Sequence, residues 1–144
     1  MIKKFKVTEK VIQKAVSEIL AIINSPSAII LLEGNLASGK TTFVKNFVDY
    51  FEIEDEVTSP TFTIQNIYGT NIYHYDIYQK SVNEFIQLGL FDMLSDSGYH
   101  LIEWGNEEFA KILKMYGFSF YHIKIYSQND DSYRIYQVSN EWQL

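Results

Sequence analysis

The spacing of apolar positions changes several times along this chain, and each change marks an element. Lys4-Phe5-Lys6-Val7 alternates polar with apolar and predicts a short edge strand. Thr8 then fits a helix N-cap, with Glu9 in the first turn, and Val11, Ile12, Ala15, Val16, Ile19, Leu20 and Ile23 recur at helical intervals. Asn24-Ser25-Pro26-Ser27 ends that helix. Ala28-Ile29-Ile30-Leu31-Leu32 is an unbroken apolar run, as in a parallel strand covered on both faces. Phe43, Val44, Phe47 and Val48 return to helical spacing, and this helix is expected to run to about Phe51. From Val57 to Tyr68, threonine and aromatic residues mix with aliphatics, which predicts an extended segment, with Pro60 keeping its start out of a central strand. Gly69-Thr70-Asn71 is a turn and Ile72 to Tyr78 the returning strand. Its period of two puts Ile72, His74 and Asp76 on one face and Tyr73, Tyr75 and Ile77 on the other.

Ser81 to Leu94 predicts two short helical pieces broken near Gly89. Tyr99 to Trp104 is a strand carrying an acid, Glu103, near its end, and Asn106 to Tyr116 is a helix stopped by Gly117. Phe118 to Tyr126 and Tyr133 to Val138 form a last hairpin around the polar turn 127–131. Helix and strand alternate and then a hairpin closes. The expected fold is α/β, a central mixed β-sheet flanked by helices on both faces, with β-hairpins, in one domain spanning 1–144.

Between the apolar run and the helix lies Gly34-Asn35-Leu36-Ala37-Ser38-Gly39-Lys40-Thr41, which fits G-x-x-x-x-G-K-[ST], the P-loop of nucleoside triphosphatases. Glycine lets the backbone curl so that successive N–H groups make a nest for an anion. Lys40 can reach the β- and γ-phosphates, Thr41 offers a hydroxyl to Mg²⁺, and the start of the next helix favours negative charge. Strand, loop and helix stand in the order the motif requires. Such a loop works with an acid at another strand end, and Glu103 is the first candidate and Asp76 the second. A solvated acid and an Asx-turn are the plain alternatives for the two. His74 stands two residues before Asp76, and a packed, hydrogen-bonded ring accounts for it more simply than a metal ligand. Thr61 lies where many such enzymes carry a segment that senses the γ-phosphate. Trp104 can cover the nucleotide site or pack in the core.

Composition narrows the classes. Net charge is −6, and the eleven lysines and single arginine are scattered, so no basic face for gripping nucleic acid is expected. With no cysteine, disulfides and thiolate metal sites are excluded. No run is long and apolar enough to span a bilayer, and the basic start Met1 to Lys6 lacks a signal peptide's apolar core, so a cytoplasmic protein away from membranes is expected. The absence of N-K-x-D excludes a Ras-type GTPase. A small P-loop kinase remains an alternative, although one arginine is few for clamping phosphates. A nucleotide-dependent interaction module without useful hydrolysis is another.

Four blocks then fall in one order: Leu32 to Phe43 around the P-loop, Ser59-Pro60-Thr61-Phe62-Thr63, His74-Tyr75-Asp76-Ile77-Tyr78, and Ile102-Glu103-Trp104. Together they resemble the bacterial TsaE (YjeE) family, over most of the chain. The resemblance implies an ATPase of tRNA N6-threonylcarbamoyladenosine synthesis, weak alone, with TsaD and TsaB as partners and tRNA met only through their complex. It implies that the loop Gly34, Asn35, Leu36, Ala37, Ser38, Gly39, Lys40, Thr41 and Thr42 binds ATP, with Trp104 beside it, and that Thr41 and Glu103 hold Mg²⁺. Lys40, Asp76, Glu103 and Thr61 are the residues it ties to hydrolysis and sensing. Two positions depart from the family pattern: Gln79 stands where arginine is usual, and Asn35 where aspartate is usual.

Overall fold

The structure, a computed structural model, describes every residue except 36–38, 59, 61–64, 79, 129–130 and 144. In chain order its elements are β1 (Ile2–Val7), α1 (Ile12–Ile23), β2 (Ala28–Glu33), α2 (Lys40–Tyr50), β3 (Gln65–Tyr68), β4 (Ile72–Asp76), α3 (Val82–Gln87), α4 (Leu90–Met93), β5 (Tyr99–Glu103), α5 (Glu107–Met115), β6 (Tyr121–Tyr126) and β7 (Arg134–Ser139). One sheet runs in the order β1-β7-β6-β2-β5-β4-β3. Its middle is parallel, with β2 between β5 and β6 and β4 beside β5. Both edges are antiparallel: the β3–β4 hairpin on one side, and on the other the β6–β7 hairpin with β1 added outside β7.

The strand period divides the core in two. Ile30, Leu32, Leu101 and Ile123 face α1 and α2, while Ile29, Leu31 and Ile102 face the layer of Phe85, Phe109 and Leu113 from α3 and α5. That is why β2 is apolar from Ala28 to Leu32: both of its faces are covered. Phe43 and Phe47 of α2 have no exposed surface. Burying a side chain of that size contributes about 3 kcal/mol each, so α2 is held firmly against the sheet.

The predicted mixed α/β sheet with helices on both faces is the observed fold, and most boundaries fall where the pattern put them. Three differ. The first helix begins at Ile12, not after Thr8, because Val7 is still paired with Arg134 in β1 and the chain needs residues 8–11 to turn away from the sheet edge. The Thr8 carbonyl therefore accepts from Val11 N–H at 3.1 Å, and neither Thr8 nor Glu9 caps the helix. Of the extended segment predicted from Val57, Gln65–Tyr68 pairs as β3, with Gln65 opposite Tyr75; 57, 58 and 60 lie outside any strand, 59 and 61–64 lie outside the described residues, and Pro60 has no N–H to give a ladder. The closing hairpin starts at Tyr121, three residues late.

Candidate functional site

Three parallel strands deliver the site. β2, β4 and β5 all end on the same side of the sheet, and their register sets Asp76 directly beside Glu103, which in turn lies beside Leu32. Ligands of open α/β sheets gather outside these carboxyl ends. From β2 the chain enters the P-loop, and it re-enters regular structure at Gly39, whose φ of 103° is a conformation that side chains rarely adopt. Gly39 is the N-cap of α2, so the helix begins with Lys40 and Thr41 directly after the loop motif. Leu36, Ala37 and Ser38 of the loop lie outside the described residues, as do Thr61 and Gln79.

Lys40 is buried, 3% exposed, yet its ammonium is well partnered. It donates to the carbonyls of Gly34 at 2.6 Å and Asn35 at 2.9 Å, and it stands 3.8 Å from the centre of the Trp104 ring. Burial lowers its pKa, and the nearby charges of Glu103 and Asp76 work against that shift. Trp104 holds its place at a φ of 68°, uncommon for a bulky residue. Its N–H bonds the Leu32 carbonyl, so the turn after β5 is tied to the strand that feeds the loop.

Glu103 is 3% exposed and accepts from the Thr41 hydroxyl, at 3.0 and 3.2 Å to its two oxygens, and meets His74 Nε2 at 2.5 Å. Asp76 is half-buried. Burial raises its pKa, and the N–H of Tyr78, donated to Oδ1 at 3.0 Å, opposes that. The Asx-turn expected of such an aspartate is thus present, and its position beside Glu103 is present as well. Hydroxyl and carboxylate oxygens are the hard donors that suit Mg²⁺. Thr41 and Glu103 therefore fit that ion, and Asp76 is near enough to bear on its surroundings.

Two cavities flank the loop. One of about 680 Å³ lies between Thr8 to Lys10, the start of α2 at Gly39 and Thr42, and residues 131–134 leading into β7. The other, of about 590 Å³, lies on the side of Gly34 and Asn35 that meets Trp104, and also takes in Lys80, Asn106 and Lys124. Sequence reasoning set His74 aside as packing and missed Tyr68, whose hydroxyl lies 2.9 Å from His74 Nδ1. Asn66, not Tyr68, is the register partner of His74. Tyr68 is its diagonal neighbour across the hairpin, close enough for an aromatic side chain to reach. The H-x-D spacing was the available signal, and it named the histidine without its partner.

A model of the family described as Threonylcarbamoyl adenosine biosynthesis protein TsaE matches residues 6–137. The chain belongs to the TsaE family. A TsaE relative from Rickettsia bellii is 37% identical over 122 residues, covering 81% of each chain. The TsaE protein of Bacillus subtilis is 38% identical over 96 residues, which is 65% of this chain and 60% of that relative. For the Treponema pallidum TsaE relative the match, again 38% identical, takes 54% of this chain and 60% of that one. Over these last two matches the chain spans less than two thirds of the relatives' own length. Among solved structures, that of Bacillus subtilis YdiB superposes with a TM-score of 0.67 at 26% identity, covering 96% of this chain and 84% of the other. The family match spans the segment that carries Lys40, Asp76 and Glu103, and the superposition on YdiB covers the sheet that brings them to one end. Among the described residues no helix is long and apolar enough to cross a membrane.

Proposed function

We propose that this protein is the Mg²⁺-dependent, ATP-binding and ATP-hydrolysing component of the machinery that makes N6-threonylcarbamoyladenosine in tRNA, and that it acts on a complex of TsaD and TsaB. The observation that carries the proposal is the direct contact of Thr41 with Glu103 beside a buried Lys40, at the mouth of a P-loop, in a chain of this family. The names of the relatives, all TsaE proteins of threonylcarbamoyladenosine biosynthesis, support the pathway.

In this reading the loop amides and the Lys40 ammonium bind the phosphates, and Thr41 and Glu103 hold the ion. Mg²⁺ at this point would neutralise charge on the β- and γ-phosphate oxygens. Lys40 has to leave the Gly34 and Asn35 carbonyls at least in part to meet phosphate, and Trp104 shields it from water. Asp76, with Oδ2 not engaged by Tyr78, orients the attacking water; Thr61 is the proposed sensor. The 680 Å³ cavity takes the nucleoside, because it opens at Gly39 and Thr42 where the phosphate nest ends. The acidic chain leaves the tRNA to its partners.

The test is capture of TsaD–TsaB by the protein in ATP, in ADP and without nucleotide, with phosphate release measured alongside. Capture should depend on the nucleotide, and hydrolysis should rise with the partners. Equal capture in all three states, with equal hydrolysis alone and in company, contradicts the proposal. Lys40→Ala should weaken ATP binding by about 100-fold, the loss of a strong charge-assisted contact, as read by calorimetry. The cavity beside Trp104, with Lys80 and Lys124 in its lining, favours one other reading, a small kinase with its acceptor there. Stoichiometric phosphate transfer to a nucleoside or small alcohol would establish that instead. Binding of the partners with no phosphate release in a single turnover would point to an interaction module.

A further inference from the structure

Glu103 poses a physical problem. Its side chain is only 4% exposed, and a carboxylate so far from water must have its oxygens held by donors. Two reach it. Thr41 Oγ1 bonds both oxygens, and His74 Nε2 bonds Oε2. An ionised carboxylate only accepts, so Nε2 carries the proton, and in a neutral ring Nδ1 is then the acceptor. Tyr68 supplies the proton for it at 2.9 Å. Tyr68 has one proton to give, so the Thr58 carbonyl, 3.1 Å away, is served by Asn66 Nδ2, also at 3.1 Å. Every group in this chain then has a partner of the right kind. The His74 ring has no exposed surface, and turning it over would set carbon against both Glu103 and Tyr68.

Resting on the reading of Thr41 and Glu103 as the ligands of Mg²⁺, we propose that His74 is a positioning residue for the ion. Its imidazole, locked by Tyr68, pins Oε2 and so aims the remaining acceptor capacity of Glu103 at the cation, without touching cation or nucleotide. An aimed carboxylate does not have to give up side-chain freedom when the ion arrives. The donor on Oε2 also keeps the carboxylate from turning that oxygen toward another cation such as Lys40, whose Nζ is held by the Gly34 and Asn35 carbonyls. Histidine is placed here in an unusual order. In many metal sites the carboxylate orients the histidine that binds the metal; here the histidine orients the carboxylate, and the physical logic of the outer partner is the same.

The experiment is Mn²⁺ binding, followed by electron paramagnetic resonance, to the full chain saturated with ADP. ADP affinity in EDTA is measured in parallel. Partners of ligands typically carry 10- to 100-fold in metal affinity. His74→Leu, which has no donor, should therefore weaken Mn²⁺ binding by about 10- to 100-fold and leave ADP affinity in EDTA unchanged. His74→Gln places an amide N–H where Nε2 stands and should recover most of the loss. Tyr68→Phe, which unlocks the ring without removing it, should lie between wild type and His74→Leu. A folded His74→Leu protein with wild-type Mn²⁺ affinity overturns the proposal. So does a His74→Gln protein as weak as His74→Leu, since then ring shape and not the donor is what counts. Should His74→Leu fail to fold, His74→Gln and Tyr68→Phe decide the matter: the proposal requires near-wild-type affinity in the first and a loss in the second. Failure of the wild type itself to bind Mn²⁺ with ADP would instead sink the assignment of Thr41 and Glu103, a different result from wild-type binding that the variants leave untouched.

Discussion

His74 and His100 sit on neighbouring strands and are built alike. Both are buried, both have Nδ1 against a tyrosine hydroxyl, Tyr68 at 2.9 Å and Tyr75 at 2.8 Å, and both have Nε2 on an oxygen. For His74 that oxygen is the Glu103 carboxylate; for His100 it is the backbone carbonyl of Asp96, at 2.9 Å. The difference lies along the strand. His100 is the second residue of β5 and its partner precedes that strand, whereas the partner of His74 is the last residue of β5, where the P-loop also ends up. One arrangement of a tyrosine and a histidine thus serves two ends of a parallel sheet. At the amino end it closes hydrogen bonds that burial would otherwise leave open. At the carboxyl end it holds a charge in place. The surroundings agree, since His100 is stacked on Tyr73 with ring centres 4.4 Å apart, a wholly internal contact.

That contrast can be broken in three ways, beginning with the largest effect. His100→Leu should cost about 2 kcal/mol of stability, because it takes a hydrogen-bond partner from the buried Tyr75 hydroxyl and from the Asp96 carbonyl together, while Mn²⁺–ADP affinity stays at the wild-type value. Urea unfolding gives the first quantity and paramagnetic resonance the second; a metal-affinity loss matching that of His74→Leu would abolish the distinction between the two ends. Tyr75→Phe should cost about 1 kcal/mol and likewise spare the nucleotide site, whereas Tyr68→Phe should disturb metal binding. The smallest effect concerns pH. Burial lowers the pKa of His100 below its ordinary 6.5, and burial also lowers that of His122, where Glu33 opposes the shift and Lys124 adds to it. Below 6.5 the unfolded chain takes up protons that these folded rings still refuse, so stability falls as pH drops through that interval. Asp76, with its pKa raised by burial, contributes in the opposite sense nearer 4. Thermal melts between pH 7.5 and 5 should show the loss, and His100→Leu should flatten it; an unchanged slope would mean that His100 stays uncharged for no energetic reason of its own.

His122 completes the set and shows how far a short motif can mislead. No pattern drew attention to it, yet its Nε2 meets Glu33 at 2.8 Å and its Nδ1 accepts the N–H of Gln143 at 3.1 Å. Its ring also stacks on Trp142 at 4.0 Å, so the end of the chain is fastened next to the residue that precedes the P-loop. Nothing local in Tyr121-His122-Ile123 announces this, because all three partners are distant in sequence.

What local order alone determined is the strand–loop–helix frame: an apolar run, the G-x-x-x-x-G-K-[ST] motif and a helix follow one another, and Lys40 and Thr41 stand at the start of that helix by covalent connection. Glu103 was legible as the acid near the end of its strand, whereas Asp76 was read inside a strand that ran on to Tyr78 and is the last residue of β4 only in the structure. The start of α1 was not legible, because it depends on how long β1 stays paired with β7, a partner more than a hundred residues away. Nor were the bond of Thr41 to Glu103, the cover of Trp104 over Lys40, or the support of Tyr68 for His74. Those follow from register across the sheet, where a shift of one residue would turn each side chain to the opposite face, and register is settled only when the whole core closes.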